Sequence, residues 1–260
     1  NMWEFNYFNH NGFSVVKRSQ VLGVITHGKY TIAVAGTHGK TTTSSIIAHV
    51  LKDSGHDCSA FLGGIASNYN TNILFGKNNV LVVEADEYDR SFLSLHPDIA
   101  VVTSMDADHL DIYGDKHELV ESFKLFASQL KPGGKLIKRE GLPLEGGITY
   151  AANQNATIQA QNIRVEDSKF SFDFKNETHF IQNIEFALPG RHNIENALAA
   201  IEVALTLGIS TDKIKQALTS FKGVKRRFEY ILKTDKHIYI DDYAHHPEEL
   251  KACIEAVRCL

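Results

Sequence analysis

Cysteine is scarce in this sequence: three stand in 260 residues, at positions 58, 253 and 259. An odd number without metal-type spacing argues against a disulfide framework and against a thiolate metal site, and fits a reduced cytoplasmic setting. No apolar run approaches the ~18 residues that a membrane-spanning helix needs. The chain opens without the basic-then-apolar pattern of an export signal. An excess of either charge is missing as well. The 27 Lys and Arg are interspersed with 31 Asp and Glu, and a net charge of −4 gives no reason to expect a nucleic-acid partner. Internal repeats and low-complexity stretches are absent. With 43% hydrophobic and 22% charged residues, the composition is that of a globular chain of one large domain or one and a half. It begins Asn1-Met2-Trp3 and closes at Cys259-Leu260 inside a helical pattern, and so reads as a piece of a longer protein.

The apolar patterning alternates between strands and helices. Residues 1–12 carry no clear signal, and Ser14 to Ile25 suggests a short helix leading into a strand at Thr31–Ala35. A glycine loop follows, then a helix from Thr41 that stops near Gly55. Val80–Val83 and Ile99–Val102 are short and rich in β-branched residues, as buried parallel strands are. Leu119–Leu130 reads as a helix ended by Pro132-Gly133-Gly134. This predicts a doubly wound, mostly parallel α/β sheet of P-loop type. Between about 147 and 188 the period changes to two, notably at Phe170-Ser171-Phe172-Asp173-Phe174, and predicts a small antiparallel β insert. Helices return at Ile194–Leu207 and Asp212–Phe221. A strand at Ile238–Ile240 and a helix opened by Pro247, with Glu248 and Glu249 in its first turn, look like the start of a second α/β domain.

The strongest chemical signal is Gly36-Thr37-His38-Gly39-Lys40-Thr41-Thr42 between a strand and a helix. Glycines let backbone N–H groups approach phosphate oxygens, and the helix N-terminus adds donors and a favourable dipole. Lys40 is placed to reach the β- and γ-phosphates and the Thr41 hydroxyl to ligate Mg²⁺. The general P-loop pattern is not fully met, because Val34 stands five residues before Gly39 where a glycine is usual. An ordinary glycine turn is the plain alternative. Glu84 ends the strand beside this loop, where a carboxylate can hold the metal of a bound nucleotide; Asp86, Glu87 and Asp89 follow closely and compete for that role. His109 lies among Asp106, Asp108 and Asp111 after the next strand. A neutral imidazole there can take a second metal ion or a phosphate oxygen, or be a solvated loop residue.

In this order, Gly36–Thr42, Glu84-Ala85-Asp86-Glu87, Asp108-His109-Leu110-Asp111, Gly190-Arg191-His192-Asn193 with Asn196, and Asp242-Tyr243-Ala244-His245-His246-Pro247 resemble the Mur ligases over residues 14–260. Asp108 to Gly114 and the double histidine are similar to the branch that joins L-alanine to UDP-N-acetylmuramate. Glu87-Tyr88 is similar to the branch that recycles cell-wall tripeptide onto the same sugar nucleotide.

The resemblance implies an ATP-dependent, cytoplasmic amide ligase of peptidoglycan-precursor synthesis. It implies phosphate contacts from the loop 36–42 and Mg²⁺ near Thr41, Glu84 and His109. His192, Asn193 and Asn196 take the adenine side, although Asn193 also suits a helix N-cap. Arg227 matches the arginine that reaches the γ-phosphate, although Lys225-Arg226-Arg227 would otherwise pass for a solvated basic stretch. Asp242 matches a nucleotide contact, His245 a contact to the amino-acid end of the substrate, and His246 is left as a helix cap.

The expected organisation is a linker at 1–25, an ATP-binding domain at 26–222 and the start of a Rossmann-like domain at 223–260. A UDP-binding domain and most of the C-terminal domain are expected outside this chain, which alone should bind nucleotide without completing the reaction. One departure stands out. Where several family members carry a metal-binding carbamylated lysine, Phe123 stands here with Lys124 beside it, as in the alanine-adding branch. Two other classes compete: a P-loop kinase or NTPase with another acceptor, and a nucleotide-binding module without catalysis.

Overall fold

A strand that is buried on both faces must supply apolar side chains to two cores at once, and Tyr30–Ala35 does so. This is β1 of a computed structural model that describes residues 2–106, 115–152, 155–166 and 169–259. Ile32 and Val34 enter one core with Val82, Ile99 and Val101. Ala33 and Ala35 enter the other with Leu81, Val83, Ala100 and Val102. The period of two in the sequence is thus a division of labour between the faces.

Among the described residues the sheet has ten strands in the order β10-β9-β8-β7-β6-β5-β1-β4-β2-β3. Here β2 is Ser59–Ala66, β3 Thr71–Leu74, β4 Val80–Glu84, β5 Ile99–Val102 and β6 Lys135–Arg139. The rest are β7 Ile148–Ala151, β8 Ile158–Glu166, β9 Lys169–Lys175 and β10 Phe180–Phe186. Pairing is parallel from β2 through β4, β1, β5, β6 and β7 to β8. It is antiparallel for β8–β9–β10 and for β2–β3. The antiparallel insert expected after residue 147 therefore continues the main sheet, because β7 and β8 run on from β6 in parallel.

Helices cover both faces. The helix after the glycine loop, Lys40–Asp53, is buried at every residue from Thr41 to Leu51. It lies against Arg191–Thr206 and Thr211–Ser220. The opposite face is closed by Lys116–Ser128, whose Phe123 and Phe126 are fully buried. Two further helices, Met2–His10 and Arg18–Thr26, precede β1, and the first buries none of its residues. In chain order these helices are α1 Met2–His10, α2 Arg18–Thr26, α3 Lys40–Asp53, α4 Lys116–Ser128, α5 Arg191–Thr206 and α6 Thr211–Ser220. After α6, β11 (Glu229–Lys233) and β12 (Ile238–Asp241) pair as a separate antiparallel ribbon, and α7 (Pro247–Arg258) closes the described chain. No helix among the described residues is long and apolar enough to cross a membrane.

Phe123 explains the departure noted in the sequence. Its ring meets Phe92 edge-on at 5.1 Å, and Phe92 stacks on Phe126 at 5.0 Å. Lys124 points to the surface and pairs with Glu121 at 2.8 Å. A lysine at position 123 would enter this aromatic cluster without a partner. Truncation of a phenyl ring in such a core leaves a cavity, so Phe123→Ala is expected to cost about 3–5 kcal/mol in urea unfolding. A loss below about 1 kcal/mol would show that the cluster is not the core it is taken for.

Candidate active site

The order of the central strands puts β1 between β5 and β4, and the loop after β1 leaves the sheet at its carboxyl edge, where open α/β sheets bind ligands. Gly36 makes that exit possible. Its φ is 140°, and a Cβ built there would lie 2.1 Å from Thr103 Oγ1. The loop is then tied down by the two residues that follow β5. The Thr37 hydroxyl is 2.9 Å from Ser104 Oγ, and the His38 N–H donates to Ser104 Oγ at 2.6 Å. The His38 carbonyl accepts from Thr103 Oγ1 and, at 3.1 Å, from Ser104 Oγ. Gly39 turns into α3 with φ of 82°, and among the described residues no side chain caps it. An uncapped helix N-terminus at the mouth of a cleft is a receptor for a phosphate.

Glu84 is carried to this mouth by the register of β4, since Val34 pairs with Glu84 at the end of the ladder. Its Oε1 accepts from the Thr41 hydroxyl at 3.1 Å and its Oε2 from the Gly63 N–H at 2.8 Å. A Cβ on Gly63 would come within 2.3 Å of that carboxylate, so the glycine is what lets the two elements meet. Burial pushes the Glu84 carboxyl above the usual range, with Asp86 acting in the same direction. The Lys40 charge and the bonds from Thr41 and Gly63 oppose this. A half-buried acid and a hydroxyl side by side are hard oxygen donors that suit Mg²⁺, which takes few protein ligands when it also binds phosphates. Among the described residues no group of three or more His, Cys, Asp or Glu side chains is placed to hold a metal alone. His109 and its neighbours Asp108 and Asp111 lie outside the described residues.

Lys40 lies almost out of water, 2.7 Å from Glu87, and it also donates to the Gly36 carbonyl at 2.6 Å. Glu87, 1% exposed, is one of the acids that the sequence left competing with Glu84; it holds the lysine while Glu84 holds Thr41.

On the other side of the cleft, Asn196 Oδ1 accepts from Thr43 Oγ1 at 3.1 Å and Asn196 Nδ2 donates to Asn193 Oδ1 at 3.3 Å. Asn193 is not the N-cap that the sequence suggested. Gly190, with φ of 97°, takes that position, and Asn193 sits inside α5 with its Nδ2 on the Pro189 carbonyl at 2.7 Å. Glycine is required there because a Cβ would strike the His192 ring and Ala256. His192 stands in the first turn of α5, and burial pushes its pKa down against the pull of Asp242 and Glu255.

The segment after α6 completes the cleft. Val224 is buried, and the Lys225 N–H donates to the Ile65 carbonyl at 2.9 Å, which fixes this stretch to the end of β2. Arg227 follows between two left-handed residues, Arg226 with φ of 59° and Phe228 with φ of 51°. Asp242 holds that turn by accepting from the Phe228 and Ala244 N–H groups, both at 2.7 Å. His246 caps α7, accepting from the Glu248 N–H at 3.4 Å. The cavity enclosed by these elements measures about 840 Å³ and is lined by Lys40, Glu84, Asn196, Arg227, Asp242 and His245 among others. The exposed ring of His245 meets Tyr243 edge-on at 5.2 Å. The described residues expected to touch nucleotide, metal or substrate, apart from Gly36, line this one cleft, whereas Asp89 and His246 are not part of its lining.

Thr103, Ser104 and Gly63 were missed. Polar residues directly after a buried strand and a Gly-Gly pair inside a strand were the available signals.

Residues 34–204 match the Mur ligase middle domain. Over 255 residues the chain is 54% identical to a UDP-N-acetylmuramate–L-alanine ligase of Flavobacterium psychrophilum, covering 98% of this chain and 57% of that protein. It is 50% identical over 265 residues to the ligase of the same name from Cytophaga hutchinsonii, with the same shares covered. The chain thus spans little more than half the length of these relatives. Its fold superposes on the crystal structure of UDP-N-acetylmuramate–alanine ligase from Thermotoga maritima with a TM-score of 0.87 and 26% identity, covering 98% of this chain and 60% of the other. A UDP-N-acetylmuramate:L-alanyl-γ-D-glutamyl-meso-diaminopimelate ligase from Neisseria meningitides gives 0.75 at 26% identity, covering 85% and 75%. The glycine loop joined to its strand-end acid, and the matched stretch that contains both, make this chain a member of the Mur ligase family.

Proposed function

We propose that this chain is the ATP-binding core of a cytoplasmic ligase that joins L-alanine to UDP-N-acetylmuramate in peptidoglycan-precursor synthesis. The observation that carries the reading is the meeting of Lys40, the Thr41–Glu84 pair and Arg227 around one cleft, in a chain similar over its length to ligases of that name.

The chemistry follows from the groups present. A carboxylate is a poor electrophile, so an oxygen of the muramoyl carboxylate first attacks the γ-phosphorus of ATP, and ADP leaves. The alanine amine then attacks the acyl phosphate carbon, and inorganic phosphate leaves from the tetrahedral intermediate. Phosphoryl transfer asks a protein for positioning and charge rather than for a nucleophile. The loop amides and Lys40, which rests against Glu87, bind phosphate oxygens. Thr41 and Glu84 would hold Mg²⁺, which supplies charge neutralisation at the transferring group when bound. His109 is proposed to contribute to the same metal region. Arg227 faces the loop from the far wall, and closure around it keeps water from the acyl phosphate. His192, Asn193 and Asn196 form the adenine side, Asp242 the nucleotide contact beyond it, and His245 the contact to the incoming amino acid. The tripeptide-recycling reaction is the second reading, favoured by Glu87-Tyr88 and by the likeness to the Neisseria meningitides ligase.

Phosphate release by the full-length protein with UDP-N-acetylmuramate and ATP is expected to depend on L-alanine. Release that requires the tripeptide selects the second reading, and release without either amine points to an NTPase. Lys40→Ala is expected to remove most binding of Mg-ADP by calorimetry; equal affinity in the variant refutes the phosphate loop.

Glu84→Gln separates stability from turnover. The amide oxygen can accept from the Gly63 N–H while its NH2 donates to the Thr41 hydroxyl, so stability in urea should stay within about 1 kcal/mol of wild type. The kcat should fall by at least ~10²-fold, because a metal ligand acts on charge that develops in transfer. Near-normal turnover at moderate Mg²⁺ would move the metal to Asp86.

A further inference from the structure

Glu249 entered the sequence reading only as an acid in the first turn of a helix. In the structure it is the side chain of α7 that reaches the phosphate loop, and it is 14% exposed. Its two oxygens do different things. Oε2 accepts from the N–H of His245 at 3.1 Å and of His246 at 3.4 Å, which closes the first turn of α7. Oε1 stands 3.2 Å from His38 Nδ1 and 3.7 Å from Arg227 Nη1. A carboxylate there can only accept, so the His38 proton is assigned to Nδ1. The His38 ring also packs on His246 at 4.6 Å between centroids. Burial works against the charge on Glu249, but the bonds from His38 and from the His245 and His246 amides prevail and hold its carboxyl at about 2. Both groups that it joins are already fixed on their own sides. His38 is tied to Thr103 and Ser104, and Arg227 rides on the turn held by Asp242.

We propose that Glu249 is a positioning residue of the site: by standing between His38 and Arg227 it sets the spacing of the phosphate loop and the arginine-bearing turn, so that order in one is transmitted to the other. The contact is a property of the fold, and its consequence for phosphoryl transfer rests on the function proposed above. A helix cap alone would act on α7 and go no further. A spacer acts on the turn from the loop and on the loop from the turn.

Hydrogen–deuterium exchange tells the two apart. In the nucleotide-free protein, Glu249→Ala should speed exchange of the turn 224–243 and of the loop 36–42 by about tenfold, while β1 and β4 exchange as in wild type. His38→Ala, which leaves the α7 cap intact, should loosen 224–243 to the same extent, and Glu249→Ala should add nothing there in the His38→Ala background. Faster exchange confined to α7 and the His245 and His246 amides, or an unchanged turn in His38→Ala, overturns the proposal. Should Glu249→Ala lose the fold, His38→Ala and Glu249→Gln carry the test. In Glu249→Gln the amide oxygen can keep the cap, while the charge facing Arg227 is gone.

Mg-ADP should protect both segments in wild type and only the loop in Glu249→Ala. A loop that Mg-ADP fails to protect in wild type refutes the ATP site, and the nucleotide-free comparison still decides the role of Glu249. In the full-length enzyme Glu249→Gln should lower kcat about tenfold and leave the KM for ATP within about threefold, as expected for a residue acting through an arginine that matters most in transfer. An unchanged kcat counts against it.

Discussion

The contact on which the site depends is the one between Gly36 and the first residue after β5. Thr103 lies where any larger side chain at position 36 would have to go, and its hydroxyl and that of Ser104 then take up the loop's backbone. With the loop held from beneath by β5, its amides and the start of α3 face the cleft. The same pressing-down sets where Lys40 and Thr41 emerge, and so which acids they meet. Glu87 and Glu84 leave the end of β4 three residues apart and divide between them, one to the lysine and one to the threonine.

The charges in the cleft are held in pairs. Lys40 rests on Glu87, Arg227 stands by Glu249, and Glu84 is half-buried beside a hydroxyl with its carboxyl pushed up. Each arrangement avoids an unpaired buried charge, which would cost several kcal/mol. Each also leaves a group whose preferred partner is a phosphate or a cation.

Glycines mark the places where elements approach too closely for a side chain. Gly63 lets Glu84 reach the backbone of β2, Gly64 lies within contact of Val224 and Thr41, and Gly190 brings α5 against α7 through His192. In a sheet or at a helix start these residues are costly on their own. Here they join the central sheet, the Arg227 segment and the last helix into the walls of a single cavity.

The sequence by itself determined a great deal. The strands Val80–Glu84 and Ile99–Val102, the loop 36–42, the helix after it and the helices near 191–206 and 211–220 were legible because buried strands and helices with periodic apolar residues impose local patterns. The acid at the strand's end was legible for the same reason. Tertiary structure alone decided the partners. That Glu87 takes Lys40, that Thr103 and Ser104 hold the loop, and that Glu249 spans 211 residues of sequence to meet His38 are consequences of strand order, which no local pattern encodes. The Asn193 cap failed in the same way. Local propensity favoured asparagine, and the close packing of α5 on α7 demanded glycine three residues earlier. Propensities act over a few residues, whereas the register of the sheet and the burial it imposes act over long stretches of the chain.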